Sequence, residues 1–317
     1  MNKLAVIIPA YKSQYFASAL NSLATQTNKN FSVYVGDDCS PNDLKSICDQ
    51  FSTDLSINYT RFEKNIGAKN LVEQWGRCVA LSGGEEWIWL FSDDDIAQEN
   101  CIEKFYETSS KFEGKFDVFR FNTSVINEHG DITSKSPFGP QIESSEEMAY
   151  NLLLGRRGNS MPDHIFSRKI YNETGGFVNT LFAQGADWAT SIKFSQQKGM
   201  CIILDAILFW RYSGHNISSL ASKGREEMST GYFQFVDWVS HHFLYLKYSP
   251  SNIKYADIMS ANLLRLREVL THHYGGISRK MIVPLYKLLR SNFKMNIILI
   301  INFIVMIRRK TKTVSTK

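Results

Sequence analysis

Residues 87–96 read WIWLFSDDDI. Five apolar residues, Trp87 to Phe91, have the aromatic and branched make-up of a buried strand, and they run through Ser92 into Asp93, Asp94 and Asp95. Adjacent carboxylates repel one another, so keeping all three ionised is costly unless water or a cation takes up the charge. Two readings follow: a polar loop in which one aspartate caps the next helix, or a site for a divalent cation. Magnesium and manganese favour hard oxygen ligands, and magnesium often uses one or two protein carboxylates plus substrate phosphates.

Working outward, β-rich runs alternate with helical spacing as far as about residue 122. LAVIIPA (4–10), FSVYVG (31–36), LSINYTRF (55–62) and WIWLF (87–91) read as strands, with helices over 13–25, 42–51, 68–81 and 99–109 between and after them. This order predicts an α/β fold with a mainly parallel sheet flanked by helices, and in such sheets ligands sit at the carboxyl ends of the strands. Two strands end in acids, VGDDCS (35–40) and LFSDDD (90–95). Asp37 and Asp38 have a capping alternative at the helix near Asn42. The other reading has a carboxylate accepting from a nucleotide base or ribose, with Tyr11 offering a ring to stack on. Pro9 and Ala10 bring the first strand's backbone to the same crevice. There is no GxxxxGK[ST] cradle and no GxGxxG after the first strand. That excludes a nicotinamide-dependent oxidoreductase and leaves a metal to supply the countercharge for a diphosphate.

Beyond residue 122 the pattern loosens. Residues 123–162 are polar and turn-rich, with one helix expected over 145–153. HIFSRKIYNETGGF (164–177), a helix over 185–198, and strands over 201–205 and 207–212 follow, and the character turns helical and aromatic after Ser218. The domain reading is 1–218 for the α/β body, 219–278 for a helical extension and 279–317 for a tail. The chain of 317 residues is 44% hydrophobic, long enough for one large core. Its five cysteines are scattered, which points to a reducing compartment and away from a disulfide framework or zinc site. The apolar run at the N-terminus is too short for a signal-peptide core.

Taken together, VIIPAYK, Gln26-Thr27, VGDDCSP, NIGAKN (65–70) and FSDDD resemble a family 2 glycosyltransferase of the GT-A fold, of the kind that builds bacterial O-antigen, capsule or other surface polysaccharide. IFSRKIYNETGGF followed by QGADWATSIKF is similar to that family's acceptor-side segment, so the resemblance covers about residues 1–218. It implies that Asp38 contacts the base, that Tyr11 stacks on it, and that Lys69, standing where the family usually has arginine, contacts the base or a phosphate of the donor. In the triplet the register stays open between an Asp93/Asp95 pair and Asp94 as the ligand. The favoured assignment is Asp94 on the metal, Asp93 near the ribose and Asp95 second. Asp187 matches the catalytic base, with a helix N-cap as its alternative, and Ala186 precedes it where the family has glutamate. In RYSGHNIS (211–218) Ser213 holds the usual histidine position, and His215 is left to complete the metal shell or contact the diphosphate. His272-His273 reads as a solvated helix end.

From Arg279 to Lys317 there are ten Lys/Arg and no acid, so the rest of the chain carries 26 basic against 31 acidic residues. Within this tail Met295–Ile307 would span about 20 Å as a helix, short of the roughly 30 Å hydrocarbon core. A shallow, in-plane membrane anchor fits, with a packed helix as the alternative. The full expectation is an inverting glycosyltransferase dependent on Mn2+ or Mg2+. Its donor would be a nucleotide-diphosphate sugar and its acceptor a glycan or lipid-linked hydroxyl, with no nucleic-acid partner. It would work as a peripheral membrane protein on the cytoplasmic, inner face of the cell membrane. The rival expectation is an inactive nucleotide-binding or scaffold protein of the same fold.

Overall fold

The first strand, β1 (Leu4–Ala10), is buried on both faces along nearly its whole length, as a central strand with helices on either side must be. A computed structural model describes residues 3–136, 138–213, 224–244 and 252–314, with side chains described as far as Arg308. By internal packing the chain divides into two units. One comprises Met1–Ser145, Arg157–Val178 and Thr190–Ser213; the other comprises Glu146–Arg156, Asn179–Ala189 and Gly214–Lys317. Two short pieces from within 1–218 therefore belong with the C-terminal part.

The first unit holds one sheet. Around β1 lie β2 (Phe31–Asp37), β3 (Ile57–Arg61) and β4 (Trp87–Leu90): β1 pairs in parallel with β2 on one side and β4 on the other, and β2 pairs in parallel with β3. Next along the chain come β5 (Ile96–Ala97), β6 (Val118–Ile126), β7 (Ile132–Lys135), β8 (Ile142–Glu143), β9 (His164–Ser167) and β10 (Met200–Arg211). The order across the sheet is β3-β2-β1-β4-β9-β6-β10-β5, with β7 on β6 and β8 on β10. β6 and β10 are parallel, while β9 lies antiparallel between β4 and β6, so the sheet is mixed. Helices α1 (Phe16–Ala24), α2 (Leu44–Asp49), α3 (Leu71–Val79), α4 (Cys101–Lys111) and α6 (Arg168–Glu173) belong to the same unit. Its core joins β1 and β2 to Phe16, Trp89, Phe91, Phe105 and Phe119, and each such large apolar side chain contributes roughly 1.5–3 kcal/mol by burial.

Two expectations beyond residue 122 change. The segment read as irregular instead opens with the second half of β6 and a hairpin to β7. Asn127 closes the turn, its Oδ1 accepting from the His129 and Asp131 N–H groups at 2.9 Å. The two strands expected over 201–212 are one strand, β10, whose register against β6 shifts between Ile203 and Ile207. Asp205, at φ +59°, is the residue that bends it. The helix expected over 145–153 is present as α5 (Ser145–Leu153).

The second unit is helical: most of α5, α8 (Arg225–His242), α9 (Tyr255–Glu268), α10 (Ile282–Asn292) and α11 (Ile297–Val314). His272 and His273 sit exposed at the end of the turn that extends α9. In α11, Ile300, Phe303 and Ile307 are buried, at the i, i+3, i+7 spacing of one helix face. Ile298 (66% exposed), Ile301 and Val305 stand on the opposite face in solvent. The tail is thus packed on one side and apolar on the other. Among the described residues no helix is long and apolar enough to cross a membrane.

Candidate active site

The acid-ended strands do not cap the helices that follow them. α2 is capped by Asp43, whose side chain accepts from the Ser46 N–H at 3.1 Å, and β5 and Asn100 stand between the triplet and α4. The capping alternative fails for Asp37, Asp38 and the triplet alike.

Asp37 is fully buried. It accepts from the Ser40 N–H (2.7 Å), the Tyr59 hydroxyl (2.5 Å) and Arg61 (2.7 Å), which folds the turn behind β2. Asp38 binds the 65–70 loop: Oδ1 accepts from the Ile66 N–H at 2.9 Å and Oδ2 from the Gly67 N–H at 2.8 Å. A Cβ on Gly67 would lie 2.5 Å from Asp38 Oδ2, so a larger residue there would push the carboxylate from its place on the loop. Arg77, from α3, adds an ion pair to Asp38 Oδ1 while its guanidinium lies 3.8 Å above the Phe62 ring. Of the four acceptor positions of a carboxylate, three are used, which leaves Oδ2 one for a ligand N–H or O–H. Lys69 is exposed, and among the described residues it pairs with no acid. The cation on Asp38 is Arg77, which the sequence reading missed. Removing one partner of a buried charged hydrogen bond costs about 1.5–3 kcal/mol. Arg77→Met is therefore expected to lower unfolding free energy in urea by about that amount, and Lys69→Met to leave it unchanged. Equal effects from the two would contradict this geometry.

Tyr11 is 44% exposed at the end of β1, its ring open to solvent. Its backbone carbonyl accepts from the Ser40 hydroxyl at 2.6 Å, and Asp38 N–H bonds the Ala10 carbonyl at 2.9 Å, so the ends of β1 and β2 are tied together. Pro9 lies opposite Gly36, past the last β4 pairing at Ile7, where its missing N–H costs no ladder bond.

The triplet closes against this edge. Asp93 Oδ2 accepts from the Tyr11 and Lys12 N–H groups at 2.9 and 2.8 Å. Asp94, 3% exposed, accepts from the Ser92 hydroxyl on Oδ1 and ion-pairs through Oδ2 with the Lys12 ammonium, which also lies 3.6 Å from Asp93 Oδ1. Asp95 is held on β10 instead, its Oδ1 accepting from the Arg211 N–H at 2.8 Å. Arg211 is buried: Nε donates to the Asp94 carbonyl at 2.9 Å, a terminal nitrogen donates to the Asn127 carbonyl, and the guanidinium lies 4.3 Å from the Tyr15 ring. Burial raises the Asp93 carboxyl above the usual range, opposed by Lys12 and reinforced by Asp94. Asp95 is raised further, by burial and then by the charge of Asp94. For Lys12, burial pulls downward, but the charges of Asp93 and Asp94 outweigh it and hold the ammonium above its ordinary value.

Among the described residues no group of three or more His, Cys, Asp or Glu is arranged to hold a metal ion. Two carboxylate oxygens, Asp93 Oδ1 and Asp94 Oδ2, do converge on one place, and a cation of the protein stands there. That donor set fits an ion that draws its remaining ligands from a diphosphate and water. Asp95 is not part of the pair, and His215 lies outside the described residues.

In the second unit, Asp187 is the second residue of α7 (Ala186–Ser195), inside its first turn rather than at its cap. The turn before it is strained: Phe182 and Ala183 have φ of 54° and 53°, followed by Gly185 at 70°. Left-handed backbone at non-glycine residues costs energy and persists where the surroundings enforce it. Here the Leu181 N–H bonds Gln234 on α8 at 2.8 Å, and the Tyr274 hydroxyl donates to Gln184 at 3.0 Å. Gly231 admits the turn, since a Cβ there would meet the Leu181 carbonyl.

Comparison with known proteins adds the wider context. The family described as "Glycosyl transferase family 2" matches residues 5–173. An uncharacterized glycosyltransferase of Haemophilus influenzae is 27% identical over 179 residues, covering 56% of this chain and 57% of that protein. The poly(ribitol-phosphate) beta-N-acetylglucosaminyltransferase TarS of Staphylococcus aureus is 36% identical over 98 residues, which is 30% of this chain and 16% of TarS. The chain thus aligns with little more than half of the first relative and a sixth of the second. In fold, the crystal structure of S. aureus TarS 1-349 in complex with UDP-GlcNAc gives a TM-score of 0.61 at 17% identity, over 92% of this chain and 81% of that one. GalNAc-T7 with UDP, GalNAc and Mn2+ gives 0.52 at 12% identity, over 86% of this chain and 58% of that one.

Proposed function

This chain belongs to the family 2 glycosyltransferases, and from that premise we propose that it transfers a sugar from a nucleoside-diphosphate donor to a hydroxyl of a cell-surface glycan or its lipid-linked precursor. The observation that carries the reading is the set of acids gathered at the ends of β1, β2 and β4, with an open tyrosine ring beside them. Tyr11 stacks on the base. Asp38 uses its remaining acceptor position on the base or ribose, and Asp93 lies near the ribose. Asp94 is the principal metal ligand; a divalent cation there, Mn2+ or Mg2+, would neutralise charge on the diphosphate leaving group. Asp187 takes the proton from the acceptor hydroxyl as that oxygen attacks the anomeric carbon, and one direct displacement inverts the configuration.

The relatives whose structures contain UDP or a UDP-sugar support a uridine donor. Release of nucleoside diphosphate from a panel of UDP-sugars, with Mn2+ and a lipid-linked or glycan acceptor, tests the reading. Turnover with at least one donor is expected. Nucleotide binding without release from any donor would make the protein a binding module.

Acceptor and tail belong together in this account. The open face of α11 lies parallel to an anionic membrane surface on the cytoplasmic side, with exposed Lys287, Arg290 and Lys294 nearby in sequence. Changing Ile298, Ile301 and Val305 together to serine is expected to weaken binding to vesicles containing anionic lipid at least about tenfold. Melting should not change, because all three are already exposed. Unaltered vesicle binding would remove α11 as the anchor.

A further inference from the structure

Lys12 follows the stacking tyrosine at the end of β1, its side chain about one-third exposed at 35%. Two backbone N–H groups occupy one oxygen of Asp93, and the Ser92 hydroxyl occupies one oxygen of Asp94. The two oxygens left are those that face the Lys12 ammonium. They are also the oxygens a divalent cation would take. An ammonium pairs with a carboxylate oxygen at about 2.7–2.9 Å and a hard divalent ion at about 2.0–2.1 Å, so both cannot occupy one position between the same two oxygens.

We propose that Lys12 is the resident counter-ion of the Asp93–Asp94 pair, and that a divalent cation binds by displacing its ammonium outward, toward the diphosphate of the donor. The inference rests on the metal-dependent reading above and deepens it. While Lys12 holds the pair, metal binding must work against an internal ion pair. A diphosphate gives the displaced ammonium a second anion. Metal and nucleotide therefore each raise the affinity of the other, by linkage, and Lys12 carries part of that coupling. The device keeps the two carboxylates compensated in the free protein and favours loading of metal together with donor.

The experiment reads metal binding directly. Free Mn2+ is followed by its electron paramagnetic resonance signal during titration of the parent protein and of Lys12→Gln, each with and without uridine diphosphate. In parallel, a brief pulse of an acylating reagent with and without Mn2+ reports exposure of Lys12 in the unmodified protein, read by mass spectrometry of its peptide. We expect Lys12→Gln to bind Mn2+ about tenfold more tightly than the parent without nucleotide and to gain less from uridine diphosphate. Acylation of Lys12 should rise several-fold when Mn2+ is added. Equal Mn2+ affinity in the two proteins, with Lys12 labelling indifferent to Mn2+, overturns the inference alone. Tighter binding by the variant without a change in labelling would show simple repulsion and overturn displacement. No Mn2+ bound by either protein, with or without uridine diphosphate, overturns the metal reading beneath it. Should Lys12→Gln fail to fold, the labelling arm on the unmodified protein still decides.

Discussion

Asp187→Asn is expected to fold, to bind uridine diphosphate like the parent, and to transfer sugar at least about a hundredfold more slowly. The substitution nearly keeps the shape of the side chain while removing its ability to take a proton. Asp187 sits in the first turn of α7, where an acid stabilises the helix by only ~0.3–1 kcal/mol through the helix dipole. Asparagine keeps the size and one acceptor oxygen of the side chain, and the thermal melt reads any structural cost separately from the loss of the base. Loss of general-base assistance, by contrast, is worth about 10²–10⁴ in rate. Stopped assays of transfer alongside thermal melts separate the two. A variant that melts normally and transfers at near-parental rate would leave Asp187 as part of the helix alone.

The second large effect is expected at Asp94. Its carboxylate faces a cation through Oδ2 and a hydroxyl through Oδ1. Asparagine preserves its bulk and one acceptor oxygen but contributes no charge. Asp94→Asn should reduce metal-dependent release of nucleoside diphosphate by at least about a hundredfold, since several kcal/mol of charge stabilisation at the leaving group depend on that ion. Excess chelator should reproduce the loss in the parent protein. Asp95→Asn should act differently: asparagine keeps an acceptor for the Arg211 N–H on β10 and removes a carboxylate whose charge burial and Asp94 disfavour, so metal affinity should be largely kept and the melting temperature should not fall. Full parental activity in chelator would remove metal dependence from the account.

What the sequence made legible was what repeats locally. Alternating strand and helix patterns placed β1 to β4 and the acids at their ends, because a two-residue period and a 3.6-residue period are written in adjacent positions. It also placed Tyr11, Asp38 and the triplet at one edge, since parallel strands share their carboxyl ends. The partners that hold those acids were not legible, because they are distant in the chain. Arg77 reaches Asp38 across 39 residues, Lys12 reaches Asp94 across 82, and Arg211 reaches the Asp94 carbonyl across 117. A lysine directly after Tyr11, at the end of the first strand, was the available signal for Lys12. RYSGHNIS draws attention to its histidine, whereas Arg211 at its head is the residue that clamps the triplet loop. The bend at Asp205 within β10 and the short antiparallel β9 were hidden for the same reason: sheet order and register are set by non-local packing.

The central claim is that a nucleoside diphosphate and a divalent cation meet at the ends of β1, β2 and β4. A crystal structure of the protein with uridine diphosphate and Mn2+, phased to show the anomalous signal of manganese, tests it most directly. The account predicts the base on the Tyr11 ring with a polar contact to Asp38, and a manganese peak bonded to Asp94 and to the diphosphate. A nucleotide bound away from Tyr11 and Asp38, or a diphosphate held there with no manganese at Asp94, would contradict it.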